Sequence, residues 1–337
     1  MLTETASGLM LVLMAGLFQG SFMLPSKWMR GWEWENYWLI FAASAYLVCP
    51  WLLAWTTIPN LGAVYQGTPW MPVVLVVVFG AGWGIGAVTF GLGVDAIGMA
   101  LGFAVILGVA ATSGTLIPLI GKPPEHFSFG QGLITGTALV LMLAGVAVCS
   151  FAGRWKEEED AARRRRSYRI GVLICIASGL LSSCGNLGYA WGEVIYSRAI
   201  GPQLPKYLAP NALWSILTPP LFLCNAGYSL YLLKKNGTLK NFRAAGSLLN
   251  ASRAFLMGMM WMAGMALYGI GAYRLGDLGK SLGWAILMSG MVLVANLLGM
   301  MTGEWKGAPR RATWQLGLGL VILLIAISAL GYANSFG

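Results

Sequence analysis

The chain has 337 residues, of which 57% are hydrophobic and 10% charged, and its mean hydropathy is +0.69. A water-soluble domain carries about 25% charged residues, so this composition excludes a soluble fold and most soluble enzyme classes with it. The net charge of +10 could pass for a nucleic-acid signature, but the basic residues stand between long apolar runs, where their placement argues for topology instead.

Windows of about 19 residues predict ten membrane spans, at 7–24, 37–57, 72–92, 98–120, 130–151, 170–191, 208–233, 254–273, 281–301 and 313–333. A backbone in hydrocarbon must satisfy its own hydrogen bonds, and the runs are too long and too uniformly apolar for barrel strands, so each span is helical. The opening stretch, MLTETASGLMLVLMAG, lacks the positive leader of a signal peptide and reads as the first span, which carries Gln19. Glu35 precedes the second span. The third is rich in glycine, with interleaved GxxxG patterns over Gly80, Gly82, Gly84 and Gly86 around Trp83, which lets helices approach closely. Thr112 and Ser113 lie in the fourth span.

After the fifth span comes RWKEEEDAARRRRSYR, the only strongly charged segment. Its Glu159–Arg163 and Asp160–Arg164 spacings suit a short exposed helix, and we read residues 152–169 as a solvated linker. The sixth span carries Ser182, Ser183 and Asn186 and is followed by Glu193. Asn225 sits in the seventh, Trp261 and Tyr268 in the eighth, and Ser289 and Asn296 in the ninth. Pro50, Pro118, Pro219 and Pro220 are expected to kink the helices that hold them.

Alternate connections divide the 22 basic residues unevenly, 17 on one side and 5 on the other. By the positive-inside rule the 152–169 loop is cytoplasmic and both termini lie outside. The same loop separates two five-helix halves, 1–151 and 170–337. Placing Trp83 on Trp261 aligns Gly86 with Gly264, Phe90 with Tyr268, Gly91 with Gly269, Gly93 with Gly271 and Gly98 with Gly276. After a three-residue gap, Leu101, Gly102 and Phe103 fall on Leu282, Gly283 and Trp284. An odd number of spans per half inverts the second copy. Two inverted five-helix repeats are the architecture of secondary transporters, with substrate at the midplane and alternating access as the mechanism.

No Asp, Glu, Lys or Arg occupies the middle of a span, which argues against a highly charged substrate. Neutral amides and hydroxyls with aromatic rings suit a polyhydroxylated solute, because a sugar ring packs on an indole while its hydroxyls need Asn or Gln. The expected substrate contacts are Gln19, Trp83, Asn186, Trp261, Tyr268 and Asn296. Glu35 and Glu193 are the expected proton carriers, being acids near span ends where partial burial is available. Trp32, Trp34, Trp38, Trp51, Trp55, Trp70, Trp155, Trp305 and Trp314 are assigned to an interfacial belt, and His126 to a solvated loop. The five cysteines have neither CxxC spacing nor a neighbouring His, and no glycine-rich phosphate loop is present, so neither a metal nor another cofactor is expected.

The stretch GSFMLPSKWMRGWEWENYW (Gly20 to Trp38), with FGAGWGIGAVTFGLGVDAIGMALGFAVILGVAATSGTLIPLI (Phe79 to Ile120), resembles the bacterial L-rhamnose/proton symporter family within the drug/metabolite transporter superfamily. The WxWE element, Trp32 to Glu35, and the WGIG stretch are its most specific parts. This resemblance implies proton-driven uptake of a small neutral sugar across the inner membrane, on the superfamily's fold of two inverted five-helix repeats. Its partners would be the sugar, the proton and membrane lipid, with no nucleic acid and no enzymatic activity. Two alternatives share these features: an exporter of drugs or metabolites on the same fold, and uptake of another deoxysugar or small metabolite.

Overall fold

The computed structural model describes residues 2–124, 128–156, 168–200, 204–303 and 305–334. His126, Glu304 and most of the charged linker, including the Glu159–Arg163 and Asp160–Arg164 pairs, lie outside the described residues. Among those described, ten helical segments are long and apolar enough to cross a membrane. They are α1 (Leu2–Ser21), α2 (Trp34–Thr57), α3 (Trp70–Ile97), α4 (Met99–Gly121), α5 (Phe129–Lys156), α6 (Tyr168–Trp191), α7 (Asn211–Asn236), α8 (Ser247–Arg274), α9 (Gly279–Met301) and α10 (Arg310–Asn334). Each predicted span falls within one of them or overlaps all but a few residues at one end. The chain is an all-helical integral membrane protein.

Local chemistry explains the irregularities. Proline has no amide N–H to give the preceding turn, and ahead of Pro50 the middle of α2 widens into a π-helical turn, Ala43–Val48. Ser44, on that turn, donates to the Phe255 carbonyl of α8 at 2.9 Å, so the widened segment is fastened to its neighbour. Pro219 and Pro220 leave α7 unbroken, and Pro118 sits one turn before the end of α4. Two tight junctions, between α3 and α4 and between α8 and α9, turn on Gly98 (φ +91°) and Gly276 (φ +74°). Only glycine takes such angles without a Cβ clash, so these aligned positions are glycine for one backbone reason.

Packing follows a paired scheme. α3 lies along α6 and α7, while α8 lies along α1 and α2. α4 packs on α6, and α9 on α1. α5 runs against α10, α4 meets α9, and α2 meets α7. At Gly80 a methyl group would overlap the Leu217 carbonyl oxygen, which brings the α3 and α7 backbones into direct contact. Leu13, Leu17, Val78, Val140, Leu173 and Leu324 are among the large apolar side chains left on the outer surface, as a lipid-facing protein requires.

Candidate functional site

Between the two sets of helices lies a cavity of about 1080 Å³ that enters from one end of the bundle and stops near its middle. Ligand pockets for small molecules span roughly 300–1,000 Å³, so this one holds a monosaccharide with room for water. Lys27, Trp34, Glu35, Asp95, Tyr228 and Trp305 are at the mouth. The inner part is lined by Gln19, Ser182, Tyr46, Trp83, Trp261 and Trp284.

Trp83 and Trp261 pack against each other in the cavity wall, ring centres 5.5 Å apart at a 40° tilt. Glycine positions the first of them, since the Trp83 indole packs where a Cβ of Gly185 in α6 would stand. Tyr46 holds the second edge-on at 4.8 Å. Gln19 donates its amide N–H to the Trp261 carbonyl at 2.8 Å, which fixes the side chain at the cavity wall with its amide oxygen available to a ligand. Asn296 also lines the cavity, with its N–H bonded back to the Val292 carbonyl at 2.8 Å.

Asn186 and Tyr268 lie elsewhere. Both are fully buried outside the cavity. Asn186 donates to the Gly114 and Lys280 carbonyls, each at 2.7 Å, and accepts a hydrogen bond from the Tyr268 hydroxyl. One amide thus ties α6 to α4, α8 and α9, and its hydrogen-bonding capacity is spent on protein. Beside it, Tyr189 stacks on Tyr196 at 5.6 Å and on Trp214 at 5.9 Å, and donates to the Gly269 carbonyl at 2.8 Å. Beyond this plug Glu193 accepts from Lys280 at 2.6 Å and sits 3.5 Å from Lys122. The cavity therefore stops at a packed aromatic layer backed by an ion cluster.

The two expected proton carriers have opposite surroundings. Glu193 is partly exposed at the closed end between two lysines. Glu35 is buried at the mouth, where its carboxylate accepts from Asn236 at 3.0 Å and Thr238 at 2.7 Å, both neutral donors. The WxWE element organises that corner. Trp32 is buried and donates to the Asn241 carbonyl at 3.1 Å, Trp34 faces the cavity, and Asn36 bridges the Glu33 amide to the Thr238 carbonyl.

A membrane belt does not describe Trp34, Trp38 and Trp305, which line the cavity, nor the buried Trp32. Trp55, Trp70 and Trp314 are exposed near span ends, as a belt requires. Ser182, Tyr46, Phe103 and Trp284 are cavity residues that sequence reasoning did not single out as contacts, although pairing Phe103 with Trp284 in the repeat had marked two of them. The five cysteines are unpaired thiols, and no group of His, Cys, Asp and Glu among the described residues could hold a metal ion.

Comparison with known proteins bears on this cavity. The family described as L-rhamnose-proton symport protein (RhaT) matches residues 2–335. The L-rhamnose-proton symporter of Cronobacter sakazakii is 28% identical over 319 residues, covering 92% of each chain. That of Citrobacter koseri is likewise 28% identical over 319 residues. That of Escherichia coli K12 is 27% identical over 324 residues, covering 93% of this chain and 94% of the relative.

Proposed function

Because this chain belongs to the L-rhamnose-proton symport protein family, a family of transporters and not of enzymes, we propose that it imports L-rhamnose together with protons by alternating access. The observation that carries this reading is the one-ended cavity with Trp83 and Trp261 in contact with each other on its wall. These positions correspond in the two halves, and their meeting supports a substrate site on the axis between two inverted repeats, 1–151 and 170–337, joined by the 152–169 linker. The paired packing of α3 with α6 and α8 with α1 supports the same arrangement, which is that of the drug/metabolite transporter superfamily.

In this scheme Trp83 and Trp261 take the apolar face of the pyranose, and Gln19 and Asn296 bond its hydroxyls. Asn186 and Tyr268 act indirectly, holding the far side of the site shut. The basic excess supports a mouth in the cytoplasm and both termini outside the bacterial inner membrane, which makes the open end the inward-facing one.

Glu35 is the better proton carrier. Protonating Glu193 would strip two lysines of their counter-charge, whereas protonating Glu35 leaves its neutral donors uncharged and in place. Uptake of labelled L-rhamnose into vesicles, with and without an imposed proton gradient, tests the function. Accumulation only with the gradient is the expected result; accumulation unchanged by a protonophore refutes proton coupling. In Glu35→Gln, sugar exchange at equal concentrations on both sides should persist while gradient-driven accumulation is lost.

A further inference from the structure

One feature of the cavity wall extends beyond the Trp83–Trp261 pair. From the mouth inward, Trp34 stacks on Trp38 at 4.9 Å, Trp38 packs on Phe41 at 4.6 Å, Phe41 meets Tyr46 edge-on at 5.4 Å, and Tyr46 meets Trp261 at 4.8 Å. Successive ring centres are thus within aromatic contact distance from the opening to the midplane, with Trp34, Trp38, Tyr46 and Trp261 on the cavity wall and Phe41 buried behind it. Most of this ladder comes from α2, whose widened turn at Ala43–Val48 places Tyr46 over Trp261.

At the mouth the rings are held in position. Trp38 donates its indole N–H to the Asn225 side chain at 2.9 Å, Trp34 packs on Trp38 at a 21° tilt, and Tyr228 closes on Trp34 edge-on at 6.1 Å. Trp34, Trp38 and Tyr228 all line the cavity, so their surfaces are open to a solute. A pinned pair of nearly parallel indoles beside a phenol loses little side-chain entropy on binding and presents an apolar platform with a polar edge. That is the chemistry that holds a neutral pyranose.

We propose that Trp34, Trp38 and Tyr228 form a second sugar-stacking station at the mouth, which receives the sugar after it leaves Trp83 and Trp261. The inference rests on the sugar-transport reading above and adds a site to it. Sugar that leaves Trp83 and Trp261 toward the mouth then meets a second aromatic surface before it reaches open water.

Equilibrium dialysis of labelled L-rhamnose with the purified full-length protein in lipid nanodiscs tests this. Wild type should show a tighter and a weaker component. Trp83→Ala with Trp261→Ala should remove the tighter one and leave saturable weak binding, and adding Trp34→Leu with Trp38→Leu should abolish the remainder. In the otherwise native protein, Trp34→Leu with Trp38→Leu should keep the tighter component and slow sugar efflux from preloaded vesicles by about two- to tenfold, the factor of one stacking contact. Trp34→Phe with Trp38→Phe keeps rings at both positions and should recover most of the rate, which separates stacking from misfolding. A single component in wild type, or efflux unchanged in the leucine pair, overturns the station while leaving the transporter reading intact. Wild type that binds no L-rhamnose at all refutes the rhamnose reading, and the station with it.

Discussion

The two ends of the bundle use the same kinds of residue to opposite effect. Phe90 and Phe103 meet edge-on at 4.9 Å and line the open cavity; their sequence counterparts Tyr268 and Trp284 meet in the same manner at 5.7 Å, but Tyr268 is sealed in the closed end. Gly91 borders the cavity with space where a side chain would go, while its counterpart Gly269 is pressed against Trp214 and Pro210. What differs is the added polar chemistry. Asn186 and the Tyr268 hydroxyl clamp one end, and the Lys122–Glu193–Lys280 cluster lies over it. Similar ring pairs thus stand toward both ends, and a few polar residues distinguish the closed one.

The largest expected effect comes from the element the two ends share. Trp83→Ala or Trp261→Ala should each lower L-rhamnose uptake by on the order of thirtyfold or more, since losing an aromatic anchor costs about 2 kcal/mol or more. Membrane levels, followed by immunoblot, should be unchanged. Normal uptake in both variants would remove the stacking site from the account.

Breaking the clamp comes next. Tyr268→Phe leaves a buried Asn186 oxygen without its donor, a loss of about 1–3 kcal/mol borne by the closed end alone. The thermal midpoint should fall, and the closed end should become reactive to water-soluble probes, while Phe90→Tyr at the open end should change neither. Smaller again is Glu193→Gln. Its ion cluster is partly exposed, so it contributes about 1 kcal/mol or less, and the variant should raise closed-end reactivity only a fewfold with uptake retained. Loss of proton-driven accumulation in Glu193→Gln, with accumulation normal in Glu35→Gln, would reverse the assignment of the proton carrier. The smallest effect on transport should come from Gly98→Ala and Gly276→Ala, which lower the thermal midpoint through a positive-φ backbone, each by about 1–3 kcal/mol of stability, and leave substrate affinity intact.

Hydropathy made the ten spans legible because membrane thickness leaves a chain few other choices. The Trp83–Trp261 pair was legible for a different reason: aligning the glycine-rich stretches of the two halves set these residues at corresponding positions, and in the structure they meet. Asn186 was not, because a lone amide at midplane depth looks alike whether it faces a ligand or, as here, two backbone carbonyls and a tyrosine hydroxyl. Trp34 and Trp38 were obscured by their place near a span end, where lipid headgroups and a cavity mouth select the same ring. Glu35 and Glu193 were equivalent as acids near span ends. Their difference, neutral donors for one and two lysines for the other, arises from segments 158 residues apart in the chain brought to opposite ends of the bundle.

The central claim is that one cavity serves both sides of the membrane in turn. Its most direct test is the reactivity of Gly91→Cys at the open end and Gly283→Cys, which packs beside Tyr268 at the closed end, in a protein whose five native cysteines are replaced by alanine. A water-soluble maleimide applied in the absence of sugar should modify Gly91→Cys rapidly and spare Gly283→Cys. Imposing L-rhamnose and an inward proton gradient should slow the first and speed the second. Modification of Gly283→Cys that stays negligible while transport proceeds, or equal rates at both ends under every condition, would contradict alternating access.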